Sequence, residues 1–378
     1  MTKTKKAGAS GVDWKETGTT VVRFSPGLFG EGNATLAEML REVTRAERPR
    51  VLLVADANVV QRTQGLGTDI GRWTQEFGVE LACPPVVLAG GEKVKTDNLQ
   101  SAMRIVAAAL DAKVGRGDAI VALGGGTILD IAGWAAVQLR GGIPLVRVPT
   151  TVAAMVDAAF AESAAVDYLN IKDSLAVPCR AAAVAVDPRF ADTVLDGVWR
   201  GGFGEILRQS LVTDATLAKR FVKSAGAIMG RVRDEADELI RLAVESRLKK
   251  GPTPFALWSA LRFEAISAYK LPHGYAVPIG ICLDCAYAVE RGFMSAEDRD
   301  VVRAALQDCG ALDGLVHSQH LLTQPDGLLL GLDTWRLVTG GTSVVLPTGY
   351  GKSCVEETPD RELYRKVAKS LVTVHTEA

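Results

Sequence analysis

Several short segments combine glycine with residues that can hold a diphosphate and a sugar. Leu123-Gly124-Gly125-Gly126-Thr127-Ile128-Leu129-Asp130 follows the apolar run Ala119–Leu123. Glycines there let the backbone approach a pyrophosphate, and a helix starting there aims free N–H groups and its positive dipole end at it. The GxGxxG fingerprint is not met, because position 129 is Leu, and a tight strand-to-helix turn has the same composition. Asp56-Ala57-Asn58 ends another apolar run. An acidic residue in that place accepts hydrogen bonds from ribose hydroxyls, or closes an Asx turn. Gly90-Gly91-Glu92-Lys93-Val94-Lys95-Thr96 reads either as a turn presenting polar groups to an adenosine or ribose, or as a surface loop. Pro149-Thr150-Thr151 adds two hydroxyls after a further apolar run. Together these segments point to a dinucleotide site at the carboxyl ends of parallel strands, where open α/β sheets bind their ligands.

The elements that must position them alternate. Strands are expected at Thr20–Phe24, Arg50–Ala55, Pro85–Leu88, Ala119–Leu123 and Pro144–Val148. Helical spacing fills Asn33–Ala46, Val59–Phe77, Asn98–Ala112 and Thr127–Leu139. The strands are continuous apolar runs, the signature of a parallel sheet covered on both faces. After Val184-Ala185-Val186-Asp187-Pro188 the pattern is helical to about Leu306, with a strand-like piece at Thr342–Leu346. The fold expected is therefore α/β: a loose tail over 1–19, a Rossmann-like parallel-sheet domain over 20–187 and a mainly helical domain over 188–378.

Composition narrows the class. The 378 residues carry 43 Lys+Arg against 44 Asp+Glu, and 48% are hydrophobic. These are globular values that exclude a disordered, collagenous or coiled-coil chain. The balanced charge gives no support for a nucleic-acid groove or a polybasic membrane face. No apolar run reaches the length of a membrane span, and no apolar leader follows the basic start. Six scattered cysteines suit a reducing cytoplasm. Cys282-Leu283-Asp284-Cys285 is a lone CxxC in an apolar helical stretch, read as two buried thiols rather than a metal or redox pair.

The order GGEKVKT, GGGTILDIAGWAA, RGGIPLVRVPTT, MVDAA, VDP, GFGEI and LPHGYAVPIG resembles the dehydroquinate synthase-like sugar phosphate cyclases, over roughly residues 50–290. The resemblance implies NAD as a catalytic cofactor that transiently oxidises a hydroxyl, allows phosphate elimination, is restored by reduction of the ketone, and precedes an aldol closure to a carbocycle. It implies NAD contacts from Asp56, Asn58, Glu92, Lys95, Gly125, Gly126, Asp130, Thr150 and Thr151. It places Asp157 beside the nicotinamide and substrate, Arg140 on the phosphate, and Lys172 on the substrate side. Glu205 and His273 match two of three ligands of a divalent metal, zinc or cobalt, which would polarise the oxygen being oxidised. A homodimer is implied too.

The sequence departs from that pattern where phosphate and metal are held. Counted back from His273, the family's remaining metal histidine falls near Leu257, and the second histidine of its GHTxGH motif near Leu261. The segment 251–264 contains no histidine. Glu264 is one substitute ligand; Cys282, Cys285 and the His317/His320 pair are weaker ones. A GGK stretch reads Ala161-Glu162-Ser163, the K-N pair reads Lys172-Asp173, the lysine after the metal glutamate is Arg208, and DKK reads Asp333-Thr334-Trp335. Asp for Asn beside a phosphate sets two anions against each other, and Arg for Lys keeps charge but changes geometry. The function expected is a diverged, non-shikimate cyclase, a carbon–oxygen lyase acting on phosphates. It would convert a sedoheptulose 7-phosphate-like sugar phosphate to a carbocyclic ketone, in keeping with specialised metabolism. An NAD(P)-dependent polyol or glycerol-phosphate dehydrogenase and a non-catalytic NAD-binding relative are the alternatives.

Overall fold

The computed structural model describes residues 19–373 apart from 170 and 323; the expected tail, but for its last residue, lies outside them. The chain alternates β1 (Val21–Phe24), α1 (Thr35–Thr44), β2 (Arg50–Asp56), α2 (Ala57–Arg62), α3 (Leu66–Phe77), β3 (Glu80–Leu81), β4 (Val86–Leu88), α4 (Gln100–Asp111), β5 (Ala119–Gly124), α5 (Gly126–Gln138), β6 (Leu145–Pro149) and α6 (Val152–Val156). A hairpin of β7 (Ser163–Tyr168) and β8 (Ile171–Pro178) precedes β9 (Ala183–Val186). The sheet is parallel, in the order β1-β9-β6-β5-β2, with β3 and β4 both beyond β2. β3 pairs with the start of β2 and β4 with its end. Between them Pro84 and Pro85 cannot donate to the ladder and split that edge.

Val51–Ala55 and Ala119–Leu123 are buried at every position, as strands covered on both faces must be. From β2 the chain runs outward to β3 and β4, returns to β5, then moves the other way to β6. The winding reverses between β2 and β5, and a crevice opens at the carboxyl ends of such strands.

From Asp196 to Thr339 the chain is helical: α7 (Asp196–Thr213), α8 (Ala215–Met229), α9 (Arg233–Lys250), α10 (Leu257–Ile266), α11 (His273–Glu290), α12 (Ala296–Asp308), α13 (Asp313–Leu322) and α14 (Pro325–Thr339). An antiparallel pair, β10 (Val344–Pro347) and β11 (Ser353–Glu356), leads to α15 (Arg361–Thr373). Where α7 meets α11, a Cβ on Gly201 would lie 2.4 Å from the carbonyl oxygen of Gly274. A Cβ on Gly204 would lie 2.8 Å from Pro278 Cγ, and one on Gly202 2.8 Å from Val152 Cβ. Gly201 and the two glycines of the GFGEI segment thus let three backbones close together, carrying Glu205 to His273 and both to α6.

All six cysteines are free thiols, and Cys282 and Cys285 are buried in α11. Among the described residues no helix is long and apolar enough to cross a membrane.

Candidate functional site at the carboxyl ends of the strands

The nucleotide end of the crevice is built first. Asp56 ends β2, and its Oδ1 accepts from the Asn58 amide at 2.8 Å, capping α2. The local Asx contact is therefore made, and the pair also touches the glycine loop: a Cβ on Gly90 would lie 2.4 Å from either Asp56 carboxylate oxygen. Gly125 precedes α5 with no side-chain cap, leaving the first N–H groups of that helix open. A Cβ on Gly125 would crowd Thr151 Cγ2 at 3.3 Å, and one on Gly126 would crowd Ala158 Cβ at 3.3 Å. Buried Thr150 Oγ1 and Glu92 Oε2 have no hydrogen-bond partner. A bare cradle, an unpartnered buried threonine hydroxyl and Asp56 at the switch point fit a dinucleotide.

Lys95 is buried between Asp130, at 2.8 Å, and Asp173. Burial opposes its charge, but the two carboxylates hold its pKa well above the ordinary lysine value. Thr127 donates to Glu92 Oε1 at 3.0 Å. Asp173, the residue that stands where the resemblance calls for Asn, is thereby committed to Lys95 rather than left to face a ligand alone.

From Glu92 an alternating chain of charge crosses to the helical part. Lys172, on β8, lies 3.6 Å from Glu92 Oε2 and pairs with Glu264 Oε2. Glu264 Oε1 meets His273 Nδ1 at 2.6 Å. His273 Nε2 faces Glu205 Oε2 across 3.8 Å, and that buried oxygen has no hydrogen-bond partner. Glu205 Oε1 accepts from Arg208 Nε at 2.6 Å. Arg208 Nη2 reaches Asp157 Oδ2 at 3.2 Å, and Arg247 Nε reaches Asp157 Oδ1 at 3.1 Å. Burial disfavours the imidazolium of His273, yet Glu264 and Glu205 outweigh it and raise its pKa to about 10. Burial alone would raise Glu264; His273 and Lys172 hold it at about 2. Asp157 is raised by burial despite Arg208 and Arg247.

The structure links Asp157, Lys172, Arg208, Glu205 and His273 to Glu92 through one run of contacts. Arg140 is not there. It follows the far end of α5, exposed, in a left-handed turn where its carbonyl accepts from Arg116. A helix of this length puts it about 20 Å from the glycine cradle. Glu264 is not a third metal ligand either: one oxygen fixes His273 Nδ1 and the other holds Lys172. It orients the imidazole, while Leu257 opens α10 as an apolar residue. Only Glu205 Oε2 and His273 Nε2 are left as facing donors, beside a guanidinium. Among the described residues no group of three His, Cys, Asp or Glu is arranged to hold a metal, and this donor set does not fit the expected zinc or cobalt site. The side chain of His317 lies outside the described residues.

Sequence reasoning missed Arg247, the second partner of Asp157, and Tyr269, whose ring lies 5.7 Å from Lys172 Nζ. Arg247 sits in a helix of many exposed charges, and nothing in its spacing marks it. It also missed Arg147, which is wholly buried in β6. This residue donates to Ala159 O and Ala161 O at 3.2 and 2.8 Å, fixing the turn after Asp157.

The parallel sheet, the glycine cradle and the charged run define an α/β fold joined to a helical part. The family model for the 3-dehydroquinate synthase N-terminal region matches residues 85–200. The 3-dehydroquinate synthase of Cereibacter sphaeroides is 28% identical over 351 residues, 89% of this chain and 91% of that protein. The 2-epi-5-epi-valiolone synthase of an Actinomyces species is 29% identical over 308 residues, 76% and 78% of the two chains. In fold, the chain matches 2-epi-5-epi-valiolone synthase from Streptomyces hygroscopicus subsp. jinggangensis, solved with NAD+ and Zn2+ bound. The TM-score is 0.83 at 24% identity, over 96% of this chain and 99% of that one. A 2-deoxy-scyllo-inosose synthase complexed with carbaglucose-6-phosphate, NAD+ and Co2+ matches with a TM-score of 0.71 at 18% identity, over 92% and 96%. All of these matches are to dehydroquinate synthase-like sugar phosphate cyclases, the family this chain resembles.

Proposed function

We propose that this chain is an NAD-dependent sugar phosphate cyclase, converting a sedoheptulose 7-phosphate-like ketose phosphate to a carbocyclic ketone with release of phosphate. The observation that carries the reading is an unbroken run of contacts: Glu92, among the residues proposed to hold NAD, meets Lys172, and alternating charges continue from there to Asp157. The similarity to a 2-epi-5-epi-valiolone synthase over most of both chains supports a substrate of that kind. NAD, when bound, supplies a hydride acceptor that is regenerated within the cycle. Asp56, Asn58, Gly125, Gly126, Thr150 and Thr151 would hold it, with Glu92, Lys95 and Asp130 at the inner end. Glu205 Oε2 and His273 Nε2, 3.8 Å apart, would together address one substrate hydroxyl, which would donate to the carboxylate and accept from the imidazolium. Lys172 and His273 present cationic N–H groups to the phosphate-bearing substrate. Asp157, fixed by Arg208 and Arg247, faces the reacting end.

The test is incubation of the protein with NAD and sedoheptulose 7-phosphate, following inorganic phosphate and absorbance of NADH together. Phosphate release without net NADH is expected. Net NADH without phosphate would replace this reading with a polyol dehydrogenase. NAD binding with neither product from a panel of sugar phosphates would indicate a non-catalytic relative.

A further inference from the structure

We infer that Arg208 takes the place of the divalent metal: a guanidinium built into the chain supplies the positive charge that Glu205 needs, and the centre assembles without a metal ion. Arginine has five N–H donors, and every nitrogen of this one is committed. Nε and Nη2 go to Glu205, Nη2 also to Asp157, and Nη1 to the carbonyl oxygens of Thr253 and Phe255. Its side chain is 1% exposed and that of Glu205 is 2% exposed. A carboxylate so enclosed needs a counter-charge and hydrogen bonds. Arg208 provides both from the next turn of α7, and the two carbonyls ahead of α10 hold the guanidinium in place.

The surrounding charges then close without an ion. Asp157 is paired with Arg208 and Arg247, and Glu264 with His273 and Lys172. A divalent cation against Glu205 Oε2 would sit beside a fixed guanidinium sharing the same carboxylate. It would find one imidazole and no third protein donor, whereas catalytic zinc takes three.

The inference relies on the proposed function for the identity of the cleft, but its test reads metal and not turnover, so a failed substrate screen and a bound metal are separate results. Untagged protein is replenished with Zn2+ or Co2+, dialysed, and measured by plasma mass spectrometry and by cobalt absorption in the visible. Wild type is expected to retain no more metal than Glu205→Ala, and a chelator is expected to leave its thermal midpoint unchanged. Arg208→Ala, which frees Glu205 Oε1 and Asp157 Oδ2 to act as donors beside His273, is expected to gain a cobalt absorption band that His273→Ala, added to it, removes. Arg208→Lys is the second variant, carrying one cation on a slimmer head that frees part of the Glu205 carboxylate; circular dichroism establishes which variant is folded. Stoichiometric cobalt in wild type, lost in Glu205→Ala, would overturn the inference. So would a folded Arg208 variant that still takes up no cobalt, because the guanidinium would then not be what stands in the ion's place.

Discussion

Glu264 shows how one side chain sets the character of a neighbour. Its carboxylate is buried, yet it stays ionised because His273 and Lys172 each give it a cation. The same contact is the main reason that His273 remains protonated up to about pH 10. Glu264→Gln is expected to lower the His273 pKa by more than one unit, toward the ordinary value near 6.5, as read by NMR titration of the imidazole. An unchanged pKa would mean that Glu205 alone holds the proton. The sign for stability follows: a raised pKa stabilises the folded state at low pH, and that contribution fades between about pH 6.5 and 10. The variant should lose that slope. Glu264 itself was visible in the sequence as an acidic residue nine positions before His273. Its role was not, because Ala268 and Tyr269 both adopt left-handed conformations between α10 and α11. That turn decides which imidazole nitrogen the carboxylate meets, and no spacing rule gives it. Asp56, Gly125, Thr150 and Thr151 were easier to place, since each directly follows an apolar strand and the strand fixes where its carboxyl end points.

At the scale of elements, the contact of α7 with α11 is the joint on which the cleft depends. A methyl group on Gly201 would meet backbone rather than a flexible side chain, so the helices must part. Gly201→Ala is expected to destabilise the protein by about 1–3 kcal/mol, the range for overpacking. It should also widen the gap between Glu205 and His273 and so reduce turnover. Gly226→Ala is the control: it lies exposed inside α8 with nothing near its Cβ position. It should gain about 0.5–1 kcal/mol from helix propensity. Urea unfolding of both variants checks the pair, and equal effects would remove the special role of the crossing. The sequence marked both glycine-containing segments but not their contact, because close approach of two helices leaves no local periodicity. The β7–β8 hairpin was missed for a related reason. Alanine-rich Ser163–Tyr168 is a poor strand former on propensity, and the turn places Leu169 in a left-handed conformation where Asn-Gly is the usual signal. Yet this hairpin delivers Lys172 and Asp173. Arg140 failed in the opposite way: its motif matched, but α5 carries it to the wrong end of the sheet.

Across the whole molecule, the C-terminal helix is tied to the cleft through one buried acid. Asp284 accepts from Trp258 Nε1 at 3.1 Å, Tyr364 Oη at 2.9 Å and the Ala256 amide at 3.2 Å. Tyr364 stacks on Tyr287 at 3.9 Å, and Tyr287 donates to Glu356 on β11. Ala256 adjoins Phe255, whose carbonyl, with that of Thr253, holds Arg208. Residues 284 and 364 thus brace the backbone that positions Arg208, although neither is near the nucleotide. Burial raises the Asp284 pKa from 3.8 to about 7, its three donors only partly offsetting the loss of water. Below pH 3.8 both folded and unfolded chains hold this proton. Between 3.8 and about 7 the unfolded chain releases it while the folded chain keeps it, so stability falls as pH rises; above 7 the loss is constant. The full difference is on the order of 4 kcal/mol. His273 contributes a slope of the same sign but at higher pH, so the two windows are separable. In Asp284→Asn the group no longer titrates. Unfolding free energies measured from pH 4 to 8 should therefore shift in favour of the variant by a large part of that amount. Parallel curves for the two proteins would place the proton elsewhere. Curves that converge would show that the buried proton on Asp284, in the network that joins α11, α10 and the C-terminal helix, carries this part of the stability.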